Sequence, residues 1–136
     1  MMSLTKKHER NSFDGPAQFF TGSVHVEMLF TPETPARTSA GSVTFQPKAR
    51  TAWHSHPIGQ SLIVTAGTGY VQFWGEDRQI IESGDVFWIP ANIKHWHGAS
   101  EHTSMTHIAV QEEINGSAAE CMELVSDEQY SGFIQK

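Results

Sequence analysis

The sequence predicts an all-β fold, a sandwich or barrel of short strands, and three observations carry the prediction. Short apolar, β-branched or aromatic runs recur from residue 23 to residue 113. Gly, Pro, Asn and Asp punctuate them at close intervals. No segment before the tail shows a long helical period.

In order, the runs are "SVHVEMLF" (23–30), "GSVTFQ" (41–46), "RTAWHSH" (50–56), "QSLIVTAG" (60–67), "GYVQFWG" (69–75), "RQIIES" (78–83), "DVFWIP" (85–90), "KHWHGAS" (94–100) and "SMTHIAVQEE" (104–113). Each is rich in residues that suit a pleated, half-buried surface. "TAGTGYV" reads as a tight hairpin, with Gly67 and Gly69 giving the backbone its freedom. At the tail, Ser126 followed by Gln129 has the spacing of a capping box, which predicts one short helix over 126–133. Residues 1–18 are polar and read as an N-terminal arm; residues 19–136 form a single domain, with no repeat or linker to divide it.

Composition narrows the function. At 136 residues the chain can bury a core without staples. A net charge of −6, with no run of Lys or Arg, argues against a nucleic-acid partner. No apolar run approaches the length of a membrane span, and the start lacks the apolar stretch of a secretory signal. One cysteine, Cys121, rules out an intrachain disulfide and fits the cytoplasm. With no basic cluster or helix start beside it, Cys121 reads as a packing residue. Exposed sheet edges predict a homodimer or homotetramer.

The chemistry lies in the histidines. His54 and His56 stand two apart, so a strand points both rings the same way. Side-by-side imidazoles on one face are costly unless their nitrogens find partners, and a metal ion is one such partner. Gln60 follows four residues later. A second cluster repeats the spacing with His95 and His97, and "SMTHIAVQ" adds His107. Met105, Ala109 and Gln111 share the face of His107, whereas Thr106, Ile108 and Val110 take the other. His25 reads as a rim residue, and His8 and His102 as surface residues.

These residues resemble the two motifs of the cupin superfamily. The first runs G(X)5HXH(X)3–4E(X)6G, matched by Lys48 in place of glycine, His54, His56, Gln60 in place of glutamate, and Gly67. The second runs G(X)5PXG(X)2H(X)3N, matched by Gly84, Pro90, Asn92 in place of glycine, His95, and Ala99 in place of asparagine. The resemblance implies a conical antiparallel β-barrel, or jelly roll, with a metal ion inside. Its ligands would be His54, His56, Gln60 and His95. The strings "ARTAWHSHPIGQSLIVTAGTGYVQ", "GDVFWIPANIKHWHGAS" and "MTHIAVQE" are similar to the small bacterial cupin-type hydroxynitrile lyases, in which glutamine replaces the usual glutamate ligand. That similarity implies manganese as the metal and places Thr51, His97, His107 and Gln111 around a small-molecule substrate.

Three imidazoles and an amide oxygen form a neutral ligand set, so a divalent ion would keep its full charge and act as a stronger Lewis acid. Nitrogen and oxygen donors without sulfur suit manganese, iron, cobalt, nickel or zinc. His107 is the expected base. His97, Thr51 and Gln111 are expected to orient the nitrile or departing cyanide. Trp53, Trp74, Trp88, Trp96, Phe73 and Phe87 offer large apolar surfaces, of which strand alternation turns only some inward (Phe87 and Trp88 must face opposite ways), and their number favours an aromatic or bulky apolar substrate over a sugar. The alternatives are a cupin dioxygenase acting on a small aromatic or apolar substrate, or a non-catalytic small-molecule-binding barrel.

Overall fold

A computed structural model describes residues 3–135. After a single 3-10 turn (Lys7–Glu9), twelve strands and one short α-helix follow in order: β1 (Ser12–Asp14), β2 (Phe20–Thr21), β3 (Val24–Phe30), β4 (Thr38–Phe45), β5 (Arg50–Thr51), β6 (His54–Ser55), β7 (Gln60–Phe73), β8 (Gln79–Glu82), β9 (Val86–Ile89), β10 (His95–Ala99), β11 (Met105–Glu112), β12 (Glu120–Cys121) and α1 (Asp127–Tyr130). All pairings between these strands are antiparallel. The main path runs β1-β3-β4-β11-β7-β10-β5-β2. It curls almost into a barrel, the jelly-roll-like form expected from sequence.

The curl depends on β7. Its first half pairs with β11 and β9, its second half with β10 and β8. One long strand therefore belongs to both layers. The hairpin expected at "TAGTGYV" does not form, because the chain continues straight through these residues. Gly67 has φ +76, and a Cβ there would collide with the Ser104 carbonyl. At Gly69 a Cβ would strike the Gly98 carbonyl. The two glycines thus serve close approach of neighbouring backbone rather than a turn.

The "RTAWHSH" run is interrupted as well. Between β5 and β6 the backbone of Ala52 and Trp53 leaves the ladder and bonds elsewhere. Ala52 N donates to Phe19 O, Trp53 N to Glu123 O, and Met122 N to Trp53 O. The segment before the first metal-type histidine is therefore clamped by both ends of the chain. In the stretch expected as an arm, Ser12–Asp14 pairs with β3 as an edge strand.

The tail helix has the capping box expected from sequence. Ser126 accepts from Gln129 N, and the Gln129 side chain accepts from Ser126 N. Trp53, Trp96, Tyr70, Val125 and Tyr130 pack together beneath it. Arg50, nearly fully buried, donates to Val125 O and to Asp127 Oδ1, both at 2.9 Å, which fastens the tail to β5. A second cluster around Phe45, Val64, Val71 and Met105 fills the body of the barrel. Among the described residues no helix is long and apolar enough to cross a membrane.

Candidate metal centre

Three strands bring the histidines together. His95 on β10 is the direct cross-strand partner of His54 on β6, and their ring centroids lie 4.2 Å apart. His97 lies two residues along β10, on the same face, with its ring 5.2 Å from His54. His56 sits just beyond β6, with its ring 5.1 Å from His54 and 5.6 Å from His95. His107 comes from β11, at a point where the ladder to β7 shifts register between Thr106 and His107. Such a bulge re-aims a side chain. Here the imidazole stands 4.7 Å from the His97 ring. His54, His95 and His97 offer ring nitrogens that all lie within 4.8 Å of one another.

Hydrogen bonds fix which atoms face inward. The Nδ1 atoms of His54, His56 and His95 meet the carbonyls of Ala52, Ala118 and Ile93 at 2.8, 2.6 and 2.8 Å. A carbonyl only accepts, so Nδ1 carries the proton in each ring and Nε2 keeps its lone pair. The Nε2 atoms of His56 and His95, together with Gln60 Oε1, are buried without a hydrogen-bond partner. An orphaned buried acceptor costs about 1–3 kcal/mol. Several such atoms beside one cavity fit a bound cation, which would satisfy them at once.

Burial is the main cause that lowers the pKa of all five histidines. His95 and His107 fall to about 4, and His54 and His97 fall well below the ordinary histidine value. The neighbouring imidazoles lower His54 and His97 further. His56 is lowered by burial, against the opposing effect of Ala118 O and Gln60. At neutral pH the cluster is uncharged, which is the state a metal ion requires of its imidazole ligands.

A cavity of about 470 Å³ opens onto this cluster and is lined by His54, His56, Gln60, His97, His107, Thr51 and Gln111. His95 lies behind it, fully buried. His107 Nε2 and His97 Nδ1 are 3.0 Å apart, so one donates to the other, while His97 Nε2 and His107 Nδ1 have no partner. Thr51 Oγ1 accepts from His97 N at 3.3 Å. The Gln111 amide is already engaged: its oxygen accepts from Gln60 Nε2 at 3.0 Å, and its nitrogen donates to Ser39 Oγ at 2.9 Å.

The apolar walls differ from the sequence-based expectation. None of the tryptophans lines the cavity. Trp53 and Trp96 belong to the cluster under the tail, and Trp74 and Trp88 are exposed. Phe73 and Phe87 pack between the core clusters. Phe13, Phe19, Phe20 and Phe45 form the walls instead, with Val26, Met28 and Val43. Three of these phenylalanines come from the N-terminal segment, where "QFF" is a sequence signal for Phe19 and Phe20 but Phe13 has none. Cys121, expected as a packing residue, is exposed on β12 at the cavity. Lys48 and Asn92, which stand where the motifs carry glycine, both adopt left-handed backbone, with φ 71 and 62. The motif geometry survives without the motif residue, and asparagine tolerates that region better than most side chains.

A family model described as "Cupin domain" matches residues 41–110. A protein of Granulicella tundricola named "(R)-mandelonitrile lyase" is 50% identical over 129 residues, covering 95% of this chain and 98% of its own length. The crystal structure of a cupin-like protein from Thermotoga maritima superposes with a TM-score of 0.84 at 42% identity, covering 93% of this chain and 95% of that one. A polyketide cyclase from Streptomyces resistomycificus superposes with a TM-score of 0.73 at 15% identity, covering 96% of this chain and 92% of that one, a likeness of fold alone.

Proposed function

The chain belongs to the cupin family, and from that premise we propose that it is a metal-dependent lyase that cleaves, and in reverse forms, α-hydroxynitriles such as mandelonitrile. The observation that carries the reading is the set of orphaned inward acceptors, His56 Nε2, His95 Nε2 and Gln60 Oε1, beside a cavity walled by phenylalanine. The half-identical relative named for mandelonitrile cleavage supports the substrate class.

His54, His56 and His95 would hold one divalent transition-metal ion through Nε2, and Gln60 through Oε1. The ring nitrogens of His54, His95 and His97 all lie within 4.8 Å of one another, and the His56 ring stands beside the same pair, its centroid 5.1 Å from His54 and 5.6 Å from His95. We favour His56, because a backbone carbonyl anchors its Nδ1 as in the other two rings, and assign His97, whose ring is paired with His107, to the proton. Manganese is the favoured ion; iron, zinc, nickel and cobalt suit the same donors. When bound, a divalent ion in a neutral ligand set supplies Lewis acidity, lowering the pKa of a nearby hydroxyl and stabilising negative oxygen.

The remaining residues handle the proton and the substrate. The hydroxyl proton of the α-hydroxynitrile passes to the His97–His107 pair, with His107 as the base. Burial keeps both rings neutral, so a lone pair is ready at neutral pH. The O–H electron pair becomes the carbonyl π bond, the carbon–cyanide bond breaks, and cyanide leaves with its electron pair. It then takes the proton back from the histidine pair as hydrogen cyanide. Thr51, whose oxygen already accepts from His97 N, has its own hydroxyl proton to offer the nitrile nitrogen. Phe19, Phe20 and Phe45 cover the apolar group of the substrate and exclude water.

The exposed apolar residues Val86 and Trp88 on β9 support a homodimer or homotetramer, which light scattering on the eluting protein would measure. The function is tested with mandelonitrile and the manganese-loaded protein under nitrogen. Cyanide release without oxygen is the expected result. Oxygen uptake in air without cyanide release would assign a dioxygenase instead, and binding without either would assign a non-catalytic barrel.

A further inference from the structure

We propose that Ser39 and Gln111 are positioning residues that decide which atom of the Gln60 side chain faces the histidines, and that this relay is why the fourth donor is an amide rather than a carboxylate. The inference rests on the metal-site reading above. It starts from a chain of three polar residues on three neighbouring strands, β4, β11 and β7. Gln111 pairs directly with Ser39 on one side and with Gln60 on the other. Ser39 and Gln60 are buried, and the Gln111 side chain spans the gap between them.

The polarity of the chain is set at its far end. Gln111 Nε2 lies 3.3 Å from the Ser39 carbonyl oxygen and 2.9 Å from Ser39 Oγ. A backbone carbonyl only accepts, so the Gln111 amide must present its NH₂ there. Its oxygen then points the other way, 3.0 Å from Gln60 Nε2. Gln60 must answer an acceptor with a donor, so its NH₂ faces Gln111. That leaves Gln60 Oε1 on the side of the histidines, buried and without a partner. One carbonyl on β4 thus orients an oxygen two strands away.

A carboxylate at position 60 has no donor to give. Against the same relay it would place an anionic oxygen against the Gln111 carbonyl oxygen, or force the Gln111 amide to turn its own oxygen onto the Ser39 carbonyl. Either arrangement opposes like partial charges in a buried place. The relay therefore discriminates against the residue that would add charge to the metal site, and it does so through hydrogen bonds to Gln60 rather than by ligating the metal.

The test is a double-mutant cycle read by Mn(II) affinity, taken from the electron paramagnetic resonance signal of free Mn(II). Gln111→Met keeps the length of the side chain but removes both amide groups. It should weaken Mn(II) binding, because Gln60 is then free to turn. Gln60→Glu should tighten binding by about tenfold more in the Gln111→Met background than in the parent, a coupling of about 1.4 kcal/mol. Gln111→Leu, a second apolar replacement, carries the same prediction should the methionine variant fail to fold. Ser39→Ala keeps the carbonyl that sets the polarity and should change affinity by less than either Gln111 variant. A purely structural role for Gln111 would lower affinity in both backgrounds by the same factor. Additive effects of Gln60→Glu and Gln111→Met, or a Ser39→Ala effect as large as that of Gln111→Met, would overturn the relay. Failure of the metal reading would look different: the parent and His95→Ala would then bind Mn(II) equally.

Discussion

His107 shows at the scale of one residue how binding and chemistry divide. Its ring is fully buried, lies against His97, and comes from a strand that carries none of the proposed metal ligands. His107→Ala should therefore keep the metal and lose cyanide release by about 10²–10⁴-fold, the usual contribution of a positioned acid–base group. Metal analysis and turnover on the same sample check this; loss of the metal would make His107 a structural support instead. His54, His56, His95 and His97 are legible in the sequence because their two-residue spacing needs no knowledge of partners, although His56 lies just beyond β6. Ser39 is not legible there, because its partner Gln111 is far along the chain and meets it only through the β4–β11 register. Nothing in the local sequence sets Ser39 apart from Ser42, the other serine of β4.

The N-terminal segment and β7 are the elements whose roles the sequence conceals. The stretch up to residue 18 reads as an arm because Phe13 stands alone among polar residues, and only the fold brings it to the cavity beside Phe19 and Phe20. Phe13 lies on the edge strand β1 and is half exposed. Phe13→Ser should leave Mn(II) affinity unchanged and raise KM for an aromatic hydroxynitrile about threefold to tenfold, as expected when about 1 kcal/mol of apolar burial against the substrate is removed. Equal KM values for parent and variant would remove β1 from the substrate wall. The hairpin expectation fails at β7 because glycine signals both turns and close backbone approach, and only the neighbours of a strand distinguish the two. Gly67→Ala therefore forces a Cβ onto the Ser104 carbonyl at positive φ, and should cost about 1–3 kcal/mol in thermal or urea unfolding. An unchanged unfolding midpoint would mean that this corner is slack.

Across the whole molecule, the histidine cluster is a stability cost that the barrel carries for its site. His95 and His107 have folded pKa values of about 4, below the roughly 6.5 of an unfolded chain, and burial is the first cause of each. Between those values the unfolded chain binds more protons than the folded one. Stability is thus full above about pH 6.5 and falls as pH drops towards 4. Metal-free protein should show this loss in urea unfolding across that window. A flat profile would mean that these rings are more hydrated than their burial implies. The fold class is legible in the sequence because strand spacing and turn residues repeat along most of the chain. The way the N-terminal segment and the tail clamp Ala52 and Trp53 beside His54 is not, since backbone hydrogen bonds leave no mark on side-chain pattern. The central claim is that one divalent ion, held by His54, His56, Gln60 and His95, makes this barrel a hydroxynitrile lyase. The most direct measurement strips the protein with a chelator and titrates Mn(II) back while cyanide release from mandelonitrile is followed under nitrogen. The predicted result is no release from the stripped protein, recovery that saturates at one ion per chain, and no recovery in His95→Ala. Full cyanide release from the stripped protein, or equal recovery in His95→Ala, would contradict it.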